Sequence, residues 1–156
     1  MCRSFLETLP CNPSSNQLQY TMASEARLAK QEAKQEEKAV LDVVLKRFEH
    51  PDELRTFEKG KFEIIRIGGM TLGRATYQPG WKWSVHVGQA LGTKSCSVEH
   101  VGLVVSGRAT AAMDDGRVFE MKPGDVFYIP PGHDSWVVGD EPYVSLHMLG
   151  AEKYAH

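Results

Sequence analysis

The side chains able to do chemistry are concentrated between Gly80 and Trp136. This stretch holds all three tryptophans (Trp81, Trp83, Trp136), three of the six histidines (His86, His100, His133) and Cys96, the one cysteine beyond Cys2 and Cys11. A thiolate with imidazoles suits zinc, nickel or copper better than a hard, oxygen-seeking cation. His86, Cys96 and His100 are therefore the candidate metal set, for a divalent transition metal such as zinc. Two other uses of these residues stand beside it. Cys96 is a candidate nucleophile with His100 or His86 as base, its thiolate favoured by the ammonium of Lys94, although no oxyanion hole is recognisable. Alternatively, Trp83 and Trp136 wall a pocket for a small molecule, with polar contacts from His86, Lys94, Cys96, His100 and His133. The plain alternative makes Cys96 a small buried hydrophobe and His100 a hydrogen-bonded core histidine. Lys94 counts against a metal, because an ammonium and a cation repel. His133-Asp134, in a Pro-Pro-Gly turn, reads as a rim element or as turn chemistry. Trp81 reads as packing.

Short strands must position these groups. From Phe57 onward the apolar period is two, and glycine or proline ends each run. Phe62–Ile67, Met70–Tyr77, Trp81–Val87, Cys96–Val105, Arg108–Met113, Arg117–Met121, Val126–Ile129, Ser135–Val138 and Tyr143–Leu149 are the expected strands. Asp114-Asp115-Gly116 supplies a hairpin turn. Ahead of them, Ser24 reads as the N-cap of a helix from Glu25 to about Phe48. Leu41, Val44, Leu45 and Phe48 form its apolar stripe, and His50-Pro51 stops it. The charged row Lys30, Lys34, Lys38 reads as a solvated face. A short turn is expected at Pro51–Leu54. The expected organisation is a loose arm over 1–23, a helical segment over 24–54 and a β domain over 55–156.

The 156 residues suit one domain with one core. A formal net charge of −2 gives no argument for nucleic acid or a membrane surface as partner. No apolar run is long enough to span a bilayer, and the first residues lack the apolar core of a secretory signal. An odd cysteine count is no disulfide framework, so a reducing, cytoplasmic setting is expected.

The glycine and proline spacing resembles the cupin family. Gly88, five residues, Lys94-Ser95-Cys96, three residues, His100, six residues and Gly107 follow its first motif. Gly124, five residues, Pro130-Pro131-Gly132, two residues and Ser135 follow its second, with Gly139 at the downstream asparagine position. The chain is also similar to a narrower set of small cupins through Gly80–Ser84, Ser95-Cys96 with His100, and Pro130–Pro142. The resemblance implies an all-β, double-stranded β-helix (jelly-roll) barrel preceded by an N-terminal α-helix, and a homodimer. It also implies a site, since cupins commonly hold a metal on three histidines and a glutamate. Lys94, Cys96, His100 and Ser135 stand at those four positions here. The usual iron or manganese chemistry is therefore not expected. Loss of that ligand set favours a small-molecule-binding module, sensory or regulatory, over a metal-dependent enzyme acting on a small organic substrate.

Overall fold

Arg27 and residues 42–155 are described in the structure, a computed structural model. The chain divides into Met1–Val43 and Val44–His156. In the first part, only Arg27, helical and exposed, and exposed Asp42 and Val43 are described. The expected arm and most of the expected helix lie outside the described residues. Asp42–Phe48 is not helical, which corrects the C-terminal half of that helix. Val44 is 45% and Leu45 92% exposed, so the proposed stripe has no cover there. Phe48 alone is covered, by the Arg74 guanidinium 5.1 Å from its ring centre. Asp52 holds the segment in place, accepting from Lys46 Nζ at 2.7 Å and from the Arg66 amide at 2.7 Å.

Ten strands follow. They are β1 (Glu53–Phe57), β2 (Gly60–Ile67), β3 (Met70–Tyr77), β4 (His100–Ser106), β5 (Arg108–Met113), β6 (Val118–Met121), β7 (Val126–Ile129), β8 (His133–Asp134), β9 (Val137–Val138) and β10 (Tyr143–Leu149). All described pairings are antiparallel. One sheet runs β1-β2-β3-β10-β4-β7 and the other β6-β5-β8, with β9 also on β5. Together they make the two facing sheets of the expected jelly roll. The tight turns are set by backbone freedom. Gly68 and Gly69, at φ 57° and 75°, close the β2–β3 hairpin in a conformation other residues rarely adopt.

Alternation then sorts the side chains. Phe62 and Ile64 of β2, Ala75 and Tyr77 of β3, and Tyr143, Ser145 and His147 of β10 are buried. The opposite face of β2 buries Glu63, whose carboxylate accepts from Arg74 Nε at 2.7 Å and Lys61 Nζ at 2.8 Å. Some expected boundaries need correction. Pro51–Leu54 is not a turn but leads into β1, which pairs along its whole length with β2. Trp81–Val87 is not a strand: after one bridge, Lys82 to Trp136, it winds into α1 (Trp83–His86) and then α2 (Gly88–Leu91). The cause is a tertiary cap. Asp134 Oδ1 accepts from the Ser84 amide at 2.9 Å and Oδ2 from the Ser84 hydroxyl at 2.8 Å, while the Ser135 carbonyl accepts from the Trp83 amide at 2.7 Å. Residues 96–99 also precede the strand they were expected to open, and Ser135 and Trp136 precede β9.

The C-terminal turn packs Ala151 and Tyr154 into the core. Tyr154 lies 4.7 Å from Phe62, ring to ring, and its hydroxyl is 2.8 Å from that of Tyr77. Buried Arg55 holds this turn by donating to the carbonyls of Ala151, Glu152 and Tyr154. Arg55→Met, which keeps the stem but removes the donors, is expected to lower unfolding free energy by about 3 kcal/mol and to expose a tyrosine. Urea unfolding and tyrosine absorbance check this; an unchanged midpoint would contradict the clamp.

Candidate metal centre

Cys96 and His133 are brought together by an isolated antiparallel bridge. The Cys96 amide donates to the His133 carbonyl at 2.8 Å, and the Gly132 amide donates to the Cys96 carbonyl at 2.8 Å. His133 is tied to the second sheet as well, opposite Met113 of β5. His100, the first residue of β4, sits opposite Ile129 of β7 and points inward. Its Nε2 lies 3.6 Å from Cys96 Sγ, and its ring lies 5.4 Å from that of His133. Ligand atoms of Cys96, His100 and His133 all fall within 4.8 Å of one another, and all three residues are buried. This group could hold a metal ion.

The remaining expected residues are placed elsewhere. His86 sits at the end of α1, partly exposed, with Nδ1 2.9 Å from the backbone of Lys82, its own helical neighbour. It is not part of the buried group, because the cap that winds Trp83–His86 into a helix abolishes the strand alternation on which its inclusion rested. Lys94 is exposed. It therefore neither repels a cation at the site nor activates Cys96. Ser135 donates its hydroxyl to the Thr110 carbonyl at 2.6 Å. Trp136 lies outside the barrel core, half-buried, with Lys82 Nζ 5.4 Å from its ring centre. Trp83 and Trp81 are both buried and line the interior cavity, so Trp81 is more than packing. Asp134 serves as the cap of α1 and also accepts from its neighbour's amide, Ser135 N, at 2.9 Å.

One further histidine, which spacing along the chain does not place, reaches the interior. His147 of β10 is buried, its ring 5.1 Å from that of His100. The signal was present in the alternation of Tyr143, Ser145 and His147. A register shift between His147 and Leu149 marks a bulge next to it, a device that re-aims side chains.

Burial governs the charge states. His100 is pushed down to about 2, first by desolvation and then by His147 and His133. Burial pushes His147 down to about 4. His133 is also lowered by burial, against the opposing pull of the Pro130 carbonyl and Asp134. The imidazoles are thus neutral and have lone pairs to offer. Because the Pro130 carbonyl accepts from His133 Nδ1 at 2.7 Å, Nε2 is the bare nitrogen. Burial raises the Cys96 thiol, which is the wrong direction for an unassisted nucleophile. His100 approaches Gly150 closely. A Cβ there would lie 2.8 Å from His100 Nδ1 and 2.2 Å from the Glu99 carbonyl, and φ is +88°. Only glycine leaves that ring its place.

His100, His133 and His147 also face an interior cavity of ≈ 30 Å³. That is room for a water or two, and far below the roughly 300–1,000 Å³ of an organic-ligand pocket. A cleft of ≈ 440 Å³ between β6 and β7 shares Met121, Phe127 and Ile129 with it.

Residues 73–148 match the family model described as Cupin domain. No curated protein sequence matches the chain. Among solved structures, a protein of unknown function from Rhizobium leguminosarum is 19% identical, with TM-score 0.50, over 69% of this chain and 95% of that one. That likeness bears on fold alone. Bacillus subtilis oxalate decarboxylase, with Mn(II) centres, is 27% identical with TM-score 0.47, over 64% of this chain. The match spans 28% of that enzyme's length. A DUF1255 protein from Acinetobacter is 12% identical with TM-score 0.47, over 63% of this chain and 90% of that one. Among the described residues, no helix is long and apolar enough to cross a membrane.

The buried histidines set a pH dependence. Their folded pKa values lie below the ordinary 6.5, so the unfolded state binds more protons once the pH falls below 6.5. Stability is therefore full above about pH 7 and is lost as the pH falls from 6.5 through about 4 for His147, and further for His100. His147 alone accounts for about 3 kcal/mol over that span. In chelator-treated protein, the urea midpoint should fall between about pH 6.5 and 5, above the main carboxylate range, and His147→Phe should flatten the slope. A midpoint that stays level across that window would refute the neutral-histidine assignment.

Proposed function

The chain belongs to the cupin superfamily, and from that premise we propose that it binds one divalent transition metal, zinc first among them, on Cys96, His100 and His133. One observation carries the reading. Cys96 Sγ and His100 Nε2 are 3.6 Å apart, about the sulfur–nitrogen edge of a tetrahedron with Zn–S ≈ 2.3 Å and Zn–N ≈ 2.0–2.1 Å. The donors are soft and neutral or anionic, which suits zinc, nickel or copper rather than manganese. Three protein donors, rather than four, are the set of an open, reactive site rather than a closed structural one. Bound there, the cation would supply Lewis acidity and hold Cys96 as thiolate.

The chain's own residues do the rest. His133 presents Nε2 because the Pro130 carbonyl takes its other nitrogen. His147 stays neutral, so it adds no positive charge beside the donors. Tyr154, on the turn held by Arg55, lines the cavity with its hydroxyl on that of Tyr77. An organic molecule inside the barrel is the less supported reading, because the interior space is ≈ 30 Å³. If the protein binds one, the cleft between β6 and β7, at ≈ 440 Å³, has the capacity. The metal reading therefore describes a metal-dependent protein acting on, or sensing, a very small molecule.

Metal analysis of protein purified without a histidine tag tests this. About one equivalent of zinc is expected, with affinity reduced at least ~10-fold in Cys96→Ser and in His133→Gln. His86→Ala and Lys94→Ala should retain it, and circular dichroism checks that each variant folds. Protein that takes up no stoichiometric zinc, nickel or copper, or that loses metal on His86→Ala alone, would sink the assignment.

A further inference from the structure

The cavity beside this metal group contains two buried donors with nothing to donate to. Trp81 is 1% and Trp83 4% exposed, and the indole Nε1 of each lacks a hydrogen-bond partner. Both residues line the same space. An indole N–H can only donate, so the two cannot satisfy each other. Leaving such a group unpaired is costly, and two in one wall point to an acceptor that visits the site. The orientation of Trp83 agrees. Its benzo edge is pressed on Gly88, where a Cβ would lie 2.5 Å from Cζ3 and 3.0 Å from Cε3. The Nε1 edge is therefore turned the other way. Gly88 must be glycine for that ring to seat, which accounts for a motif residue that makes no contact with the donor group itself.

The rest of the wall narrows the ligand class. Met121, Phe127 and Ile129 make one side apolar, and no carboxylate, lysine or arginine is among the lining residues. Nothing there repels an anion, and nothing there is a fixed cation. The hydroxyls are largely occupied: Ser135 by Thr110, Ser145 by His147 at 3.1 Å, and Tyr77 by Tyr154. The free capacity is the two indole donors, with His100 Nδ1 and His147 Nδ1 also unpartnered, around ≈ 30 Å³ next to His133.

We propose that this cavity receives a small monoanion, of about three or fewer non-hydrogen atoms, which accepts from the Trp81 and Trp83 indoles at the position left open by Cys96, His100 and His133. The proposal rests on the metal reading, because the cation supplies the charge that the cavity wall lacks. It names the ligand class as inorganic or one-carbon anions such as azide, nitrite or formate. Met121, Phe127 and Ile129 separate this cavity from the cleft between β6 and β7.

The test uses the whole chain loaded with cobalt(II), whose visible spectrum reports its coordination. Titration with azide, nitrite and formate should shift the spectrum saturably, while benzoate should not. Trp83→Phe keeps the ring and removes the donor. It should bind cobalt with unchanged stoichiometry and weaken azide by ~10-fold or more, as loss of a hydrogen bond to a charged acceptor predicts. Trp81→Phe gives a second measurement should the first variant fold poorly, and the size selection is read on the unaltered chain. If one cobalt binds but none of these anions shifts the spectrum, the anion site is wrong and the metal site stands. Benzoate binding as well as azide, or azide affinity unchanged in both variants, would also overturn it. If no cobalt binds, both readings fall together.

Discussion

The bridge between Cys96 and His133 is the constraint on which the site depends. Two backbone hydrogen bonds of 2.8 Å each tie the segment ahead of β4 to the Pro-Pro-Gly turn ahead of β8. Side chains facing each other across an antiparallel bridge are close by construction, so thiol and imidazole meet without any flexible reach. His100 then needs only to follow in the same chain. After four residues it is the first inward position of β4, and its ring arrives 3.6 Å from the sulfur. The Pro130 carbonyl, inside the turn that builds the bridge, also selects the tautomer of His133. One turn thus fixes both the position and the protonation pattern of a candidate ligand.

Burial decides what the group can do. The same desolvation that lowers the three histidines raises Cys96. A neutral thiol beside neutral imidazoles is a poor nucleophile–base pair, and Lys94 is too exposed to change that. The same set is well suited to a cation, which gains from lone pairs and supplies the missing charge. Aromatic filling sets the scale of any partner. Phe62, Tyr77, Trp81, Trp83 and Tyr154 take up most of the interior, and what is left suits a few atoms.

How legible this was differed by element. Turn chemistry and alternation were direct guides, so β3, β5, β7 and β10 have the expected limits. Trp81–Val87 misled because its alternation of large and small residues fits a strand, whereas Asp134, fifty residues later in the chain, caps it as a helix. That error carried His86 into the candidate metal set, while His133 stood outside it because no spacing along the chain aligns it with Cys96 and His100. β1 was obscured by Pro51, which read as the start of a turn. His147 was legible in its strand's alternation but had no motif to draw attention to it.

By itself the sequence determined which residues could do chemistry and the frame that carries them. Gly88, Gly107, Gly124, Pro130 and Gly132 stand at the spacing of the cupin motifs, and that resemblance implies a jelly roll before any contact is known. It also determined that Cys96 and His100 belong together, because they are close in the chain. Only the tertiary structure decided the third partner, the fate of the tryptophans and the size of the cavity. These depend on a bridge between distant segments, on a cap supplied from another loop and on how aromatic rings fill the space. None of those is a local property, so no spacing along the chain encodes them.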